Sequence, residues 1–212
     1  MKIIVFGATG GTGFQVVQQA LNKGFQVTAF VRNPAKMNLA NHALRIVQGD
    51  VLQPGSVEAV IEGHDAVVCC IGSPVNKTGQ LRSEGTKNIL HAMMKRDVKR
   101  LVCQASLGYD DSSEILGNTG FVFKNIIVPF LLKKTFADHQ LQEAYIKETD
   151  LNWTIIRPGS LTNGKHTGTY KQGFKYSDRS VKVKISRADT ADFILKQLQG
   201  NDSDKLTIGV SY

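Results

Sequence analysis

MKIIVFGATGGTG, residues 1–13, reads as a strand that runs straight into a phosphate-binding turn. Ile3, Ile4, Val5 and Phe6 form a short apolar run, the pattern of a parallel strand buried on both faces. Gly7, Gly10 and Gly13 follow at intervals of three, and the helical pattern of Phe14, Val16, Val17, Ala20 and Leu21 begins at once. The first glycine permits a tight turn, the second lets backbone approach a pyrophosphate, and the third lets the helix pack closely on the strand. The free amides that open the helix, with the positive end of its dipole, then face the phosphates. A glycine triplet alone is weak evidence. Set between an apolar strand and a helix, it becomes a dinucleotide-binding fingerprint.

Beyond this turn the chain alternates. Strand patterns cover Lys2–Phe6, Gln26–Val31, Leu44–Gln48, Ala66–Ile71, Arg100–Gln104, Trp153–Arg157 and Lys205–Val210. Helical patterns lie over Gly13–Lys23, Pro54–Glu62, Leu81–Lys95, Thr135–Glu148 and Arg187–Gln199, and Ser186 with Asp189 three residues later marks a helix start. The alternation predicts an α/β fold, a doubly wound parallel sheet of the NAD(P)-binding Rossmann type. We expect a single domain over residues 1–212, with a small C-terminal extension on the substrate side. Leu107 to Lys134 is less regular and follows a strand end, where open α/β sheets bind ligands, so it is expected to cover the substrate.

Composition narrows the function classes. The 212 residues are 42% hydrophobic and 21% charged, ordinary for a globular protein with a sizeable core. Cys69, Cys70 and Cys103 lie in apolar runs with no CxxC pair and no histidine cluster, which predicts reduced buried thiols, no metal and a cytoplasmic setting. The N-terminus lacks the pattern of a signal peptide, and no stretch has the roughly 18 apolar residues of a membrane span, so no membrane partner is expected. The net charge of +8 is spread along the chain, apart from clusters at Lys95–Arg100 and Lys165–Arg187. A phosphate-rich small ligand accounts for such a field, and nucleic acid is not expected.

After the second strand an NAD site usually offers an acidic residue to the adenosine ribose. Here AFVRNPAKM offers Arg32, with Lys36 four residues on, which suits the extra phosphate of NADP. Asp50 and Val51 follow the third strand: Asp50 either accepts from the adenine amino group, with Val51 on the ring, or caps the helix near Pro54. Ile71, Gly72 and Ser73 close the fourth strand, where a glycine permits backbone approach to the cofactor's sugar and phosphate bridge.

GATGGTG, VRNPAK, GDV, DAVVCCIG, SEGTKNIL, the serine of CQAS, Asp138–His139, RPG and the Ile185–Asp189 stretch occur in this order. Together they resemble the atypical short-chain dehydrogenase/reductases with NmrA-like, NAD(P)-binding domains, and within them biliverdin-IXβ reductase, a flavin reductase. The likeness covers nearly the whole chain. It implies a Rossmann domain, NADP(H) as hydride donor, and flat conjugated acceptors such as flavins, tetrapyrroles or quinones. It further implies Thr9, Gly10, Gly11, Thr12 and Gly13 at the pyrophosphate, Arg32 and Lys36 at the ribose phosphate, and Asp50 and Val51 at the adenine. Gly72 and Ser73 would meet the central linkage, Ser106 would lie beside the nicotinamide, and Pro158 and Gly159 would approach from the other side.

Three departures stand out. The family's histidine after its Pro-Pro turn is Ser160 here, the stretch between Ser106 and Asp138 is longer and holds the apolar FVFKNIIVPFLL, and the YxxxK pair is absent. Tyr145 and Lys147 have the wrong spacing to share a helix face. Without a tyrosine acid, a simple ketone lacks a proton donor, whereas a conjugated ring delocalises its charge and takes its proton from solvent. Catalysis then rests on holding nicotinamide against the acceptor, with Ser106 as an orienting or polarising hydroxyl. His139 and Glu143, four apart, are read as a surface pair with no catalytic role. The reading is therefore an NADPH-dependent reductase of a planar small molecule. The alternative is a non-enzymatic NADP sensor acting through a protein partner, for which the apolar Phe121–Leu132 stretch offers a surface. A sugar-nucleotide epimerase is disfavoured by chain length and the missing pair, and oligomeric state is not legible.

Overall fold

The computed structural model describes residues 1–73, 79–199 and 205–212. Its strands are β1 (Lys2–Phe6), β2 (Gln26–Val31), β3 (Leu44–Gln48), β4 (Ala66–Cys69), β5 (Arg100–Gln104), β6 (Asn152–Pro158), β7 (Ser160–Thr162), β8 (Lys171–Gln172), β9 (Lys184–Ser186) and β10 (Leu206–Ser211). Eight of them form one sheet in the order β3-β2-β1-β4-β5-β6-β10-β8, parallel except for β8 at its edge. The strand order reverses between β1 and β4, and the crevice beyond the strands' carboxyl ends at that point is where such sheets bind ligands.

The strands bury both faces because their apolar residues alternate between two cores. Ile3 and Val5 of β1 pack into the core beneath α1 (Gly11–Asn22) and α5 (Arg187–Gln199). Ile4 and Phe6 pack into the opposite core, under α2 (Pro54–Ile61), α3 (Leu81–Lys95) and α4 (Lys133–Lys147). Each such side chain contributes about 1.5–3 kcal/mol by leaving water, so a polar substitution in β1 would disrupt whichever of the two layers its side chain enters. The predicted doubly wound sheet and its helices are present. The predicted helix start at Ser186 is a closed cap, with Asp189 N donating to Ser186 Oγ at 2.9 Å.

The differences gather at the C-terminal edge of the sheet. β4 stops at Cys69, which leaves Ile71, Gly72 and Ser73 in a loop. The short strands β7, β8 and β9 have too few residues to show a period in the sequence. β7 pairs with β9 in a separate parallel ribbon, and these strands make up the small C-terminal extension. The irregular stretch after β5 contains a 3-10 helix, Asp110–Asn118, and a π-helix, Phe123–Leu132, that runs directly into α4. Leu107, Ile115, Val181 and Val183 form a small third core joining this stretch to the extension. Among the described residues no helix is long and apolar enough to cross a membrane.

Candidate functional site

A cavity of about 860 Å³ opens along the carboxyl ends of the parallel strands. One end is built on the first turn of the chain. Gly7 sits at φ +77°, and a Cβ there would run into the carbonyl of Cys70 on the neighbouring strand end. A Cβ on Gly13 would strike the Gly7 carbonyl, so only glycine lets α1 sit this close to β1. Gly13 thus does not line the cavity; Gly7, Thr9, Gly10, Gly11 and Thr12 do.

The N-termini of α3 and α5 contrast with that of α1. Asp138 closes α3, accepting from Arg82 N at 3.1 Å and Ser83 N at 3.0 Å. Asp189 and Ser186 close α5. α1 has no side-chain cap at Gly10 and no acidic residue in its first turn. Its opening amides therefore face the cavity with the positive end of the helix dipole, an arrangement that fits a diphosphate. Arg187 lies across this end: a Cβ on Gly11 would come within 2.5 Å of Arg187 Cδ and 2.6 Å of its Nε. The Arg187 guanidinium is steadied by Asn163 Oδ1 at 2.7 Å. Sequence reasoning missed Arg187, since it stands some 170 residues from the turn it serves and only the contact of α1 with α5 joins them.

Arg32 and Lys36 are exposed and line the same end, with neither ion-paired among the described residues. A short 3-10 turn, Pro34–Lys36, capped by Asn33 Oδ1 on Ala35 N at 3.1 Å, brings the two cations to the tip of β2. Val51 forms a buried wall nearby, while Asp50 does not line the cavity. One oxygen of the Asp50 carboxylate accepts from Leu52 N at 3.0 Å in a local turn, and α2 has Gln53 at its N-cap, so Asp50 is not the cap of that helix. Ile71, Gly72 and Ser73 line the cavity, as do Ser106, Pro158 and Gly159 at the ends of β5 and β6.

The other end is made of side chains. Leu107, Leu116, Phe123, Ile127, Leu132 and Phe136 supply an apolar wall, and Thr135 and His139 add polar atoms from one face of α4. His139 and Glu143 are not a surface pair: both are buried, at 6% and 3% exposure, because this face of α4 packs onto β4 and β6 rather than facing water. Burial pushes the His139 imidazole down to about 4, so it is neutral near pH 7. Its Nδ1 lies 3.2 Å from Gln142 Oε1, and Gln142 Nε2 donates to Thr86 Oγ1 at 2.8 Å.

Behind the wall lies a buried ion cluster. Glu143 accepts from Arg157 Nε and Nη2, both at 2.7 Å, and from the Tyr109 hydroxyl at 2.7 Å. Arg157 Nη1 also donates to Asp111, and Lys147 Nζ reaches Glu143 at 3.0 Å. Burial alone would raise the Glu143 carboxyl, yet the bonds from Arg157 and Tyr109 outweigh it and hold it below the usual carboxylate range. The cluster ties the stretch after β5 to α4 and β6. It is saturated, and neither Tyr109 nor Glu143 lines the cavity. Tyr145 and Lys147 are also outside it, and no phenol lines the cavity among the described residues.

Gln104 and Thr135 line the cavity, but Gln104 Oε1 and Thr135 Oγ1 are themselves buried away from solvent, with no hydrogen-bond partner among the described residues. Such atoms cost roughly 1–3 kcal/mol unless a ligand or water meets them.

The family model for NAD(P)H-binding proteins matches residues 7–201. A chloroplastic protein of Arabidopsis thaliana, At2g34460, is 34% identical over 95% of this chain and 73% of its own length. The photosystem II assembly factor Ycf39 of Cyanophora paradoxa is 29% identical over 74% of this chain, which spans less than half (44%) of that protein. Among solved structures, the oxidoreductase YlbE of Lactococcus lactis superposes with a TM-score of 0.81 at 24% identity, over 100% of this chain and 90% of that one. ChuY of Escherichia coli O157:H7, an anaerobilin reductase, gives 0.79 at 19% over 100% and 97%. A short-chain dehydrogenase/reductase of Veillonella parvula in complex with NADP gives 0.77 at 17% over 100% and 94%. At these identities the structures share the fold.

Proposed function

This chain belongs to the NAD(P)H-binding family, of the atypical short-chain dehydrogenase/reductase kind, and from that premise we propose that it is an NADPH-dependent reductase of a planar conjugated small molecule. The observation that carries the reading is one continuous cavity: it runs from the uncapped start of α1 and two cations to an apolar wall, with no ion pair on those cations and no phenol in that wall among the described residues. The opening amides of α1, with Thr9, Thr12 and Arg187, hold the diphosphate. Arg32 and Lys36 take the 2′-phosphate, which favours NADP over NAD; a charge-assisted contact of this kind is worth about 1.5–3 kcal/mol. Val51 walls the adenine, Ile71 to Ser73 follow the central linkage, and Ser106 with Pro158 and Gly159 borders the nicotinamide.

A bound nicotinamide nucleotide supplies the hydride. The protein's share is to align the two rings and keep water from between them, which is where most of the rate gain of such a site arises. Ser106 Oγ directs its proton to Leu107 O at 3.1 Å, so in this state it orients a ligand through its lone pairs. That an anaerobilin reductase shares the fold lends support to reductase chemistry on this scaffold. Free, buried Cys69, Cys70 and Cys103 suit a reducing compartment, the cytosol in our reading. The test is NADPH oxidation followed with flavin, quinone and biliverdin acceptors: turnover with at least one is expected, and none, despite tight NADPH binding, would overturn the reading.

One observation favours the alternative of an NADP sensor. Phe121 and Phe130, on the outer side of the π-helical stretch, are 76% and 79% exposed, as a partner-facing surface would be. Capture of a protein partner only in the presence of NADP(H), by a chain inert towards every acceptor, would decide for it.

A further inference from the structure

Ten large apolar residues are exposed among those described, and five of them fall in one stretch: Phe121, Val122, Ile126, Phe130 and Leu131. Lone exposed apolar residues are ordinary, but a cluster marks a surface that something covers. The polar residues among them set the character of what covers it. Lys124, Lys133 and Lys134 are exposed, and none is ion-paired among the described residues. Between Glu114 and Asp138 the chain carries no acidic residue. Asn125, also exposed, turns its amide back on the helix and donates to Phe121 O at 3.0 Å, so its polar group is partly satisfied without water. The face is thus apolar and cationic, with no acid in its own stretch.

A second copy of the chain does not complement it. A symmetric contact would bring these lysines against their own counterparts, on a protein of net charge +8. Aromatic rings beside unpaired lysines instead match a surface that is anionic at the top and apolar beneath. A bilayer with acidic headgroups has that order: rings enter the acyl boundary while ammonium groups stay with the phosphates. We propose that the outer face of residues 121–134 docks on an anionic lipid bilayer, with Phe121, Ile126 and Phe130 inserted and Lys124, Lys133 and Lys134 on the headgroups. The expectation of no membrane partner rests on the want of a spanning segment, and a helix lying in the interface needs none. The inner side of the same helix lines the cavity through Phe123 and Ile127, so docking sets the acceptor end at the lipid surface. The contact needs neither coenzyme nor turnover, so it stands apart from the reductase reading.

The experiment is cosedimentation of the full chain with vesicles of phosphatidylcholine, alone or with about 30% phosphatidylglycerol. Binding to the anionic vesicles is expected to be at least about tenfold tighter, since each lysine near the headgroups contributes on the order of fivefold. Phe121→Ser combined with Phe130→Ser should weaken that binding at least about tenfold, because both rings leave the interface. Lys124→Gln, Lys133→Gln and Lys134→Gln together should bring the ratio between the two vesicle types below about threefold. Lys23→Gln, Arg45→Gln and Lys165→Gln remove the same charge outside the stretch and should leave the ratio above that figure. All of these side chains are exposed, so the unfolding midpoint should hold in every variant. Equal binding to both vesicle types, no binding, binding that survives loss of both rings, or an equal loss in the charge-matched control would overturn the proposal. A dimer dissolved by the phenylalanine substitutions, in a protein that binds no vesicle, would overturn it too and give the face to a second copy.

Discussion

The nucleotide end of the cavity is centred on one turn of consecutive residues, to which Arg32, Lys36 and Arg187 are added, whereas the acceptor end has no such local centre and is assembled from four stretches that meet only in the folded chain. At the first, backbone sets the geometry: glycines at 7 and 13 let a helix start point its bare amides into the crevice. At the second, side chains from β5, the 3-10 and π-helical stretch, α4 and the extension converge, and a buried ion cluster holds them in place. The two ends should therefore fail differently. Damage at the first should appear in coenzyme affinity, and damage at the second in stability and acceptor binding.

The largest effect is expected from Glu143→Ala. It strips Arg157, 1% exposed, of its main carboxylate and orphans the Tyr109 hydroxyl. Breaking a buried pair from one side costs about 3–5 kcal/mol, towards the lower figure here because Asp111 still reaches Arg157. Urea unfolding should register that loss, while NADP+ affinity in the remaining folded protein stays within about threefold. An equal loss of coenzyme affinity would show the two ends to be one unit.

Acid should strike the same end next. The His139 imidazole is held at about 4 in the folded chain, below its ordinary 6.5, so between these values the unfolded chain binds more protons and stability falls as pH falls. The loss is on the order of 2–3 kcal/mol by pH 4. Glu143, also held low, adds to it only below its ordinary value of 4.5. His64, buried between Ile61 O and Thr28 Oγ1, is depressed too and contributes in the same direction. His139→Gln should flatten, without abolishing, the dependence of the urea midpoint on pH between 6.5 and 4. An unchanged slope would place the titration elsewhere.

At the nucleotide end, Arg32→Glu should weaken NADPH by roughly ten- to a hundredfold, and NADH by less than threefold, by calorimetry. Equal effects on both coenzymes would remove Arg32 from the 2′-phosphate. Acceptor affinity should not change. This prediction follows from the sequence alone, because the discriminating position lies a fixed distance past a recognisable strand. The same locality made the sheet and the glycine turn legible. Arg187, Thr135 and His139 were not legible as site residues, since a contact between elements distant in the chain leaves no local pattern. Glu143 and His139 were misplaced on the surface because charged residues at helical spacing ordinarily face water. Here Arg157, on a strand beyond the reach of any helix period, pulls Glu143 inward.

The smallest effect is expected at the outer side of the π-helical stretch, where the comparison between the two ends can be sharpened. Inner residues Phe123, Ile127 and Leu132 recur at four to five residues, the period of the wider helix, and line the cavity. Outer residues Phe121, Ile126 and Phe130 recur at the same interval and are exposed. Phe130→Ser removes a ring that is already 79% in water, so the unfolding midpoint should correspond to a change within about 0.5 kcal/mol. Acceptor affinity should likewise hold. Ile127→Ser, one face over, should weaken acceptor binding severalfold, because it sets a hydroxyl in the apolar wall. If Phe130→Ser instead lowered stability in a manner that depended on protein concentration, the outer face would be covered by another copy of the chain, and the acceptor end would be a shared construction rather than the work of one polypeptide.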